Sequence, residues 1–305
     1  MLVLTSVTKK YGSFTAVSEL SFSVSRGKIL GLLGPNGAGK TSTIRMIANI
    51  TFPDSGSIVF DGNPVGIKTQ EVMGYLPEER GLYKRMKVIE GIQFLGELKN
   101  MKAPDAKKRG MELLEEFGLT DWANHKIEAL SKGMQQKVQI LTTILHDPDL
   151  IILDEPLSGL DPINAELVNN LILDLKKKNK IILFSTHRME QVEKICDEIV
   201  LVNKGIGVLN GNLRDIKKQF GRDSVVIEFD GDISVFDQLT GVEIADRHPK
   251  HVELKLNGNP IRPIITFLNE HLDIQRIERV EPSLKDIFIQ TVTEKGFDPS
   301  EGDLV

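Results

Sequence analysis

A glycine-rich segment near the N-terminus has the residue types and spacing that bind polyphosphates. It matches the pattern G-x-x-x-x-G-K-[ST] in full and, with the residue that follows, consists of Gly34, Pro35, Asn36, Gly37, Ala38, Gly39, Lys40, Thr41 and Ser42. Glycines leave room for backbone N–H groups to converge on phosphate oxygens. We expect Lys40 to reach the β- and γ-phosphates and the hydroxyl of Thr41 to bind Mg²⁺. The alternative, an ordinary glycine-rich turn, is disfavoured by the strand and helix patterns on either side.

Two acidic residues follow an apolar run further along the chain. The run Leu150–Leu153 is typical of a buried strand, and Asp154 and Glu155 come directly after it. A carboxylate at the end of a strand beside a phosphate-binding loop suits Mg²⁺, so we assign that role to Asp154. Glu155 points elsewhere and is suited to polarise an attacking water as a general base. Alone, two such acids indicate a turn or a helix cap; paired with the glycine-rich segment they predict nucleotide hydrolysis.

A short segment before the acidic strand indicates which family of nucleotide-hydrolysing proteins the chain resembles. Ser131 stands at the N-terminus of a predicted helix, Lys132–Leu145, where free backbone N–H groups are available. Alone, this would be an ordinary capped helix. Together with the two motifs above, the segment resembles the Leu-Ser-Gly-Gly-Gln signature of the ATP-binding-cassette (ABC) family, although Lys132 and Met134 differ from its first Gly and its Gln. The resemblance implies that the nucleotide is ATP and that Ser131 and Gly133 contact its γ-phosphate.

Three further positions strengthen this resemblance. Tyr11 matches the aromatic position that stacks on adenine in the family. Asp161, in a Ser-Gly-Leu-Asp segment, matches the family's D-loop. His187 follows the next strand, as does the histidine that senses the γ-phosphate in the family. The resemblance therefore implies that His187 acts in catalysis together with Lys40 and Glu155.

One segment departs from the family pattern. Met73–Arg80 aligns with the place where the family usually has a Gln that touches Mg²⁺ and the attacking water, and Glu78 stands there instead. Because a carboxylate is also a Mg²⁺ ligand, the implied metal site consists of Thr41, Glu78 and Asp154. In the family the same segment borders the groove that receives the membrane subunit, so Tyr75–Tyr83 is the predicted coupling surface.

These residues must be positioned by alternating strands and helices. Lys28–Leu33 and Ile181–Phe184 are apolar runs typical of strands in a buried parallel sheet. Helices are predicted from Lys40 to Ile50 and over Asn164–Lys178, and the region of about residues 86–148 is mainly helical. The predicted fold class is α/β, a P-loop nucleotidase core with a helical subdomain.

A smaller domain follows a change in composition near Gly221. The residue pattern beyond it predicts, in order, a strand (Ser224–Phe229), a helix (Ile233–Leu239), two strands (Val242–Arg247 and His251–Leu256), a helix (Ile261–His271) and a strand (Asp273–Val280). This order is that of a ferredoxin-like α+β sandwich. The predicted organisation is therefore an ABC domain over residues 1–220, an accessory α+β domain over 221–295 and a polar tail over 296–305.

Composition limits the classes of function. The chain has 305 residues, a formal net charge of −5 and one cysteine, which excludes an intramolecular disulfide and a cysteine-built metal site. Residues 1–220 carry 29 basic and 26 acidic side chains, whereas residues 221–305 carry 9 and 17. The acidic second part argues against a nucleic-acid surface there. No apolar run is long enough to cross a bilayer and no secretory signal is recognisable, so we expect a cytosolic type of protein.

The resemblance also implies partners. In the family, the ATP on one cassette is covered by the signature residues of a second, so we expect a dimer, and a homodimer for this chain. The single cassette is similar to the separately encoded ATPases of bacterial sodium-, drug- and antibiotic-export transporters. This implies an ATP-hydrolysing subunit that powers an integral membrane permease for export of ions, drugs or other solutes. We expect no nucleic-acid partner and a cytoplasmic location, peripheral on the inner face of the cell membrane.

A soluble ABC ATPase acting on ribosomes or nucleic acid without a permease is the alternative. Such relatives generally carry two cassettes or a long coiled-coil insertion between the phosphate-binding loop and the signature. Residues 42–129 hold no long heptad run and no concentrated basic patch.

Overall fold

The computed structural model describes residues 1–79, 81–220 and 224–297. The described residues form two compact units, the first made of Met1–Leu213 and residues 292–297, the second of Arg214–Thr291. Residues 221–223, where the change in composition predicts a boundary, and the predicted tail from residue 298 onward lie outside the described residues.

The first unit is built on two sheets. Its strands are, in chain order, β1 (Leu2–Tyr11), β2 (Phe14–Val24), β3 (Lys28–Leu33), β4 (Ser55–Phe60), β5 (Asn63–Pro64), β6 (Met73–Leu76), β7 (Leu150–Asp154), β8 (Ile181–Thr186), β9 (Glu198–Asn203) and β10 (Ile206–Asn212). One sheet has the order β2-β1-β4-β5 and the other the order β10-β9-β3-β8-β7-β6. In the six-stranded sheet β9, β3, β8, β7 and β6 are parallel and β10 is antiparallel to β9. The parallel sheet predicted from the apolar runs is confirmed.

The register of the parallel sheet brings the ends of β3, β7 and β8 to one edge. Leu33 pairs with Thr186, and Asp154 pairs with Ser185. Every residue of β7 and β8 is buried, as expected for strands covered on both faces. Ligands of such sheets bind outside the carboxyl ends of the strands, so this edge is where a site is expected.

The helices of the first unit lie between these strands. They are α1 (Lys40–Ile47), α2 (Ile67–Glu71), α3 (Val88–Glu97), α4 (Ala103–Glu116), α5 (Lys132–Ile144), α6 (Pro162–Lys177) and α7 (Met189–Ile195). α1 ends before the predicted Ile50, because Asn49 adopts a left-handed conformation with φ 56° that terminates the helix. The helices α3, α4 and α5 occupy the region predicted to be helical. No helix within the described part of the chain is long and apolar enough to span a membrane.

The second unit contains one antiparallel sheet. Its strands are β11 (Ser224–Asp230), β12 (Glu243–His248), β13 (His251–Lys255) and β14 (Asp273–Val280). Its helices are α9 (Ile261–His271) and most of α8 (Leu213–Gln219) and α10 (Leu284–Glu294). The order β12-β13-β11-β14 with all neighbours antiparallel is the ferredoxin-like arrangement. The predicted helix Ile233–Leu239 is a short 3-10 helix, Ile233–Gln238, a geometry common in such short segments. Its Phe236 packs on Phe229 of β11, with ring centroids 4.9 Å apart.

Candidate functional site

The loop Gly34–Gly39 joins β3 to α1 and is shaped by close backbone approaches. A Cβ at Gly34 would lie 2.2 Å from the carbonyl oxygen of Val202, and one at Gly39 would lie 2.4 Å from that of Ala16. Both glycines also have positive φ, 152° and 105°, so the fold itself requires them. Gly37 has φ 77° but no atom lies within 4 Å of where its Cβ would be, so its outer side is open to a ligand.

Lys40, the first residue of α1, is buried and turned back into the loop. Its Nζ donates to the carbonyl oxygens of Gly34 at 2.6 Å and Pro35 at 3.0 Å. Burial lowers the pKa of Lys40. Thr41 and Ser42 are half-buried in the same first turn. A cation and two hydroxyls therefore stand at the positive end of a helix that follows a glycine loop.

Three carboxylates lie near Lys40 and partly offset the effect of burial on its pKa. They belong to Glu155, Asp154 and Glu78. Glu78 follows the end of β6 and is exposed. Asp154 is the last residue of the neighbouring strand β7, Glu155 follows it, and both are buried. The structure thus brings together the predicted acidic residues and the lysine, which come from three distant parts of the sequence.

Asp154 has the features of a metal ligand. It is 2% exposed, and its Oδ2, like the Oγ of its β8 neighbour Ser185, is buried without a hydrogen-bond partner among the described residues. Burial raises the pKa of Asp154 to about 6; the nearby hydroxyl of Ser185 and the charge of Lys40 oppose this shift, and the charges of Glu78 and Glu155 add to it. An orphaned carboxylate oxygen costs free energy unless something binds it. The oxygen donors at this place suit Mg²⁺, so the site fits the metal that the motifs imply.

Glu155 is held against the end of β8. Its Oε1 accepts a hydrogen bond from the backbone N–H of His187 at 2.9 Å and lies 2.6 Å from Nδ1 of the same residue. Its Oε2 accepts from Oγ1 of Thr186 at 3.1 Å. Glu155 itself has φ 49°, a left-handed conformation that non-glycine residues adopt only where the surroundings impose it. Because of this left-handed turn, the side chain of Glu155 leaves the backbone in a different direction from that of the next residue in an extended strand.

Thr186 and Ser185 are site residues that the motif reasoning missed. Thr186 bonds Glu155, and its Oγ1 also accepts from the backbone N–H of Arg188 at 3.1 Å. Ser185 lies beside Asp154 in the sheet. The available signal was the pair of hydroxyl residues directly before His187, at the carboxyl end of an apolar strand.

Tyr11 lies at the end of β1, opposite Phe14 in the hairpin with β2. Its side chain is 45% exposed, and Nζ of Lys9 stands 5.6 Å from the centre of its ring. Since Ala16 of β2 approaches Gly39 closely, the hairpin runs past the glycine loop. The ring is free to stack on a planar ligand.

The remaining predicted residues are not gathered at the glycine loop. Ser131 caps α5 by accepting from the N–H of Met134 at 3.2 Å, and a Cβ at Gly133 would lie 3.7 Å from the carbonyl oxygen of Gly159. Asp161 is exposed and caps α6, accepting from the N–H groups of Ile163 and Asn164. Ser131 and Asp161 both present exposed helix N-termini, the polar groups that a second molecule could engage.

Comparison with known proteins agrees with this geometry. Residues 17–158 match the family model described as ABC transporter, and residues 211–292 match that of the ATP-binding protein DrrA1-3-like, C-terminal domain. The chain is 42% identical over 293 residues to the uncharacterized ABC transporter ATP-binding protein YhaQ of Bacillus subtilis, covering 96% of this chain and 98% of that one.

Two further proteins extend the comparison. The linearmycin resistance ATP-binding protein LnrL of Bacillus subtilis is 31% identical over 302 residues, covering 95% of this chain and 97% of the relative. A solved structure of an ATP-binding subunit of an ABC transporter superposes with a TM-score of 0.68 at 32% identity, covering 72% of this chain and 93% of that one. The alternative of a ribosome- or nucleic-acid-directed ATPase is not favoured. On these matches and on the motifs assembled at the edge of its parallel sheet, the chain belongs to the ATP-binding subunits of ABC transporters, which are ATPases.

Proposed function

We propose that Glu155 and His187 activate the water that hydrolyses ATP while Lys40 binds the phosphates. The observation that carries this proposal is the contact between Glu155 Oε1 and His187 Nδ1 at 2.6 Å, near Lys40 and the glycine loop. A carboxylate positioned by donors from Thr186 and His187 is suited to accept a proton from water. The imidazole on the same carboxylate is suited to contact the γ-phosphate. On binding ATP, Lys40 exchanges the carbonyl oxygens of the loop for phosphate oxygens.

In this proposal the glycine loop binds the phosphates of ATP, and the hairpin of β1 and β2 binds its adenine. The backbone N–H groups from Gly34 to Ser42 cradle the phosphates, with Gly37 giving the closest approach because its side faces open space. The ring of Tyr11 stacks on adenine. Thr41, Glu78 and Asp154 would hold Mg²⁺, and the metal when bound supplies positive charge that neutralises the phosphate oxygens. The orphaned Oδ2 of Asp154 supports this assignment.

A second copy of the chain completes the site in this proposal. Ser131, Gly133 and Asp161 are predicted to contact ATP, yet they lie at the N-termini of α5 and α6. These two helix starts are close together, since a Cβ at Gly133 would lie 3.7 Å from the carbonyl oxygen of Gly159, two residues before Asp161. In a head-to-tail homodimer, the exposed start of α5 in one copy covers the glycine loop of the other. The positive helix end then meets the γ-phosphate.

The membrane permease docks, in this proposal, at a groove beside the predicted coupling surface. The larger apolar and aromatic residues of its lining are Tyr75, Leu76, Pro77, Leu82, Leu95 and Leu98, and its polar residues are Lys99, Gln139, Thr142, Thr143 and His146. Burial lowers the pKa of His146 to about 4, so its ring is neutral and compatible with an apolar partner. Tyr83 packs edge-on against Phe94 next to it, with centroids 5.4 Å apart. A short amphipathic helix of a permease fits such a groove; Arg80, also within the predicted surface, lies outside the described residues.

The proposal also covers the direction of transport and the place where the chain works in the cell. LnrL, a relative across nearly the whole chain, is named for antibiotic resistance, which supports export of drugs or other solutes from the cytoplasm. The chain then works on the inner face of the cell membrane, held there by its permease.

The test is a pull-down from solubilised membranes of the source organism. Tagged Glu155→Gln chain is incubated with Mg·ATP to hold the closed dimer, and bound proteins are identified by mass spectrometry. We expect a polytopic membrane protein in about a one-to-one ratio with the ATPase chain. The matched control is Lys40→Ala chain, whose weaker phosphate binding lowers dimer formation without touching the groove.

Two outcomes would contradict parts of the proposal. Recovery of ribosomal or DNA-repair components without any membrane protein overturns the transport assignment and leaves the ATPase assignment intact. A strictly monomeric Glu155→Gln chain in Mg·ATP, measured by light scattering, overturns the homodimer.

A further inference from the structure

The tip of the hairpin β12–β13 in the second unit gathers two histidines and an aspartate. His248 and His251 form the last register pair, joined by the two-residue turn Pro249-Lys250. Asp246 lies two residues before His248 on the same strand. One ligand atom from each of the three side chains lies within 4.8 Å of those of the others. None of these residues belongs to the nucleotide site or to the motifs described above.

The strand register explains why all three side chains share a face. Side chains alternate along a strand, and Arg247 pairs with Val252, whose side chain is fully buried in the core of the unit. The pairs on either side, Asp246 with Glu253 and His248 with His251, therefore point to the opposite, outer face. The cluster is thus placed by the fold rather than by chance rotamers.

The distances within the cluster suit a small cation. Nε2 of His248 is 3.0 Å from Oδ2 of Asp246, and the two imidazole rings lie 4.4 Å apart, tilted by 33°. Ligand atoms bound at about 2.0–2.2 Å to a tetrahedral Zn²⁺ lie roughly 3.3–3.6 Å from one another. The three ligand atoms, which all lie within 4.8 Å of one another, are therefore close to the spacing of a zinc site.

The neighbouring residues orient the carboxylate of Asp246, and the nearby cations pair with other acids and do not neutralise it. Oδ1 of Asp246 accepts from the N–H of Arg247 at 2.9 Å, which directs Oδ2 towards His248. The two cations of the hairpin tip are engaged by other acids, since Arg247 pairs with Asp237 and Lys250 with Asp230. Glu253, on the same outer face, adds a further negative charge.

We propose that Asp246, His248 and His251 form a binding site for Zn²⁺ at the tip of this hairpin. Two imidazole nitrogens and one carboxylate select zinc or a similar transition metal over Mg²⁺ and Ca²⁺, which prefer oxygen ligands throughout. Three protein ligands leave one position for water. The bound ion ties β12 to β13 and offsets part of the excess negative charge of this region.

The experiment is a calorimetric titration of the full-length chain, free of tag histidines, with Zn²⁺ in excess Mg²⁺. The Mg²⁺ keeps the oxygen ligands of the nucleotide site occupied. We expect one Zn²⁺ per chain, bound at least about tenfold more weakly by His248→Asn and by His251→Asn, since even outer partners of a ligand cause losses of this size. The matched control is His271→Asn, an exposed histidine of α9 whose Nδ1 contacts the carbonyl oxygen of Phe267.

A second measurement uses the wild-type chain, so misfolding of a variant cannot account for its outcome. In the wild-type chain, Zn²⁺ should shift the ring NMR signals of His248 and His251 and leave those of His271 in place. The proposal is overturned if the wild-type chain binds no Zn²⁺, or if the double variant His248→Asn/His251→Asn binds it as the wild type does. It is also overturned if Mg²⁺ competes with Zn²⁺ for these side chains.

Discussion

Oε1 of Glu155 accepts the backbone N–H of His187 at 2.9 Å and contacts the imidazole of the same residue at 2.6 Å. One oxygen thus ties the end of β7 to the residue after β8. The remaining oxygen is held by Thr186 at 3.1 Å. The carboxylate is oriented by three donors from one neighbouring strand end, so its position depends on the sheet register and not on a mobile loop.

Glu155→Gln is expected to bind ATP normally and to hydrolyse it more slowly by roughly 10²–10⁴-fold, the usual contribution of a general base. The amide keeps one oxygen for the backbone N–H of His187 but cannot accept a proton from water. Steady-state phosphate release and nucleotide affinity measure the two effects separately. Glu166→Gln, on the exposed face of α6, serves as the control with unchanged turnover. Wild-type turnover in Glu155→Gln would remove Glu155 from the mechanism.

Asp154→Asn is expected to stabilise the nucleotide-free protein while abolishing hydrolysis of Mg·ATP. Burial raises the pKa of Asp154 to about 6, so ionising it costs the folded state free energy that the unfolded state does not lose. The difference from an ordinary aspartate corresponds to about 3 kcal/mol at neutral pH. Urea unfolding at pH 7.5, with and without the substitution, measures the gain.

The pH dependence of this gain follows from its sign. The folded state binds the proton of Asp154 more tightly than the unfolded state, so the penalty is full above about pH 6 and fades as the pH falls towards the normal aspartate range. The stability difference between Asp154→Asn and the wild type should therefore shrink when the same unfolding is measured at pH 4.5. A difference that stays constant across this range would show that titration of Asp154 is not its cause.

Much of the fold and of the site is encoded in short local patterns. The apolar runs at Lys28–Leu33 and Ile181–Phe184 predict buried parallel strands because such strands are covered on both faces. The second unit is predicted from the order βαββαβ, since its strands, such as β13, alternate between buried and more exposed residues as strands of a one-sided antiparallel sheet do. What could not be predicted depends on contacts between distant segments, such as the bond from Thr186 to Glu155. The left-handed backbone of Glu155 is likewise imposed by the sheet edge and has no signal in a residue type that disfavours it.

The glycines of the phosphate loop should separate into two classes when each is replaced by alanine. At Gly39 a Cβ would lie 2.4 Å from the carbonyl oxygen of Ala16, so Gly39→Ala is expected to destabilise the fold by at least about 1–3 kcal/mol. At Gly37 nothing lies within 4 Å, so Gly37→Ala carries only the cost of a positive φ, about 1 kcal/mol.

The readouts for this pair are urea unfolding and the affinity for a fluorescent ATP analogue. Gly37→Ala should retain most of its stability and lose nucleotide affinity, because its methyl group stands where the phosphates approach. Equal losses of stability in the two variants would show that the loop packs differently from the structure described above.

Leu98→Glu tests the groove that we assign to the permease. Leu98 is 61% exposed at the end of α3, so a charge there leaves the isolated chain folded and its ATPase activity unchanged. When a permease helix covers the groove, the same charge loses water and lies beside the apolar side chains of the lining and of the helix, which costs binding free energy. Recovery of the membrane protein with tagged chain should fall at least about tenfold, the effect of 1.4 kcal/mol. Ile206→Glu on β10, an exposed apolar residue away from the groove, is the matched control, and equal recovery from both variants would exclude the groove as the docking surface.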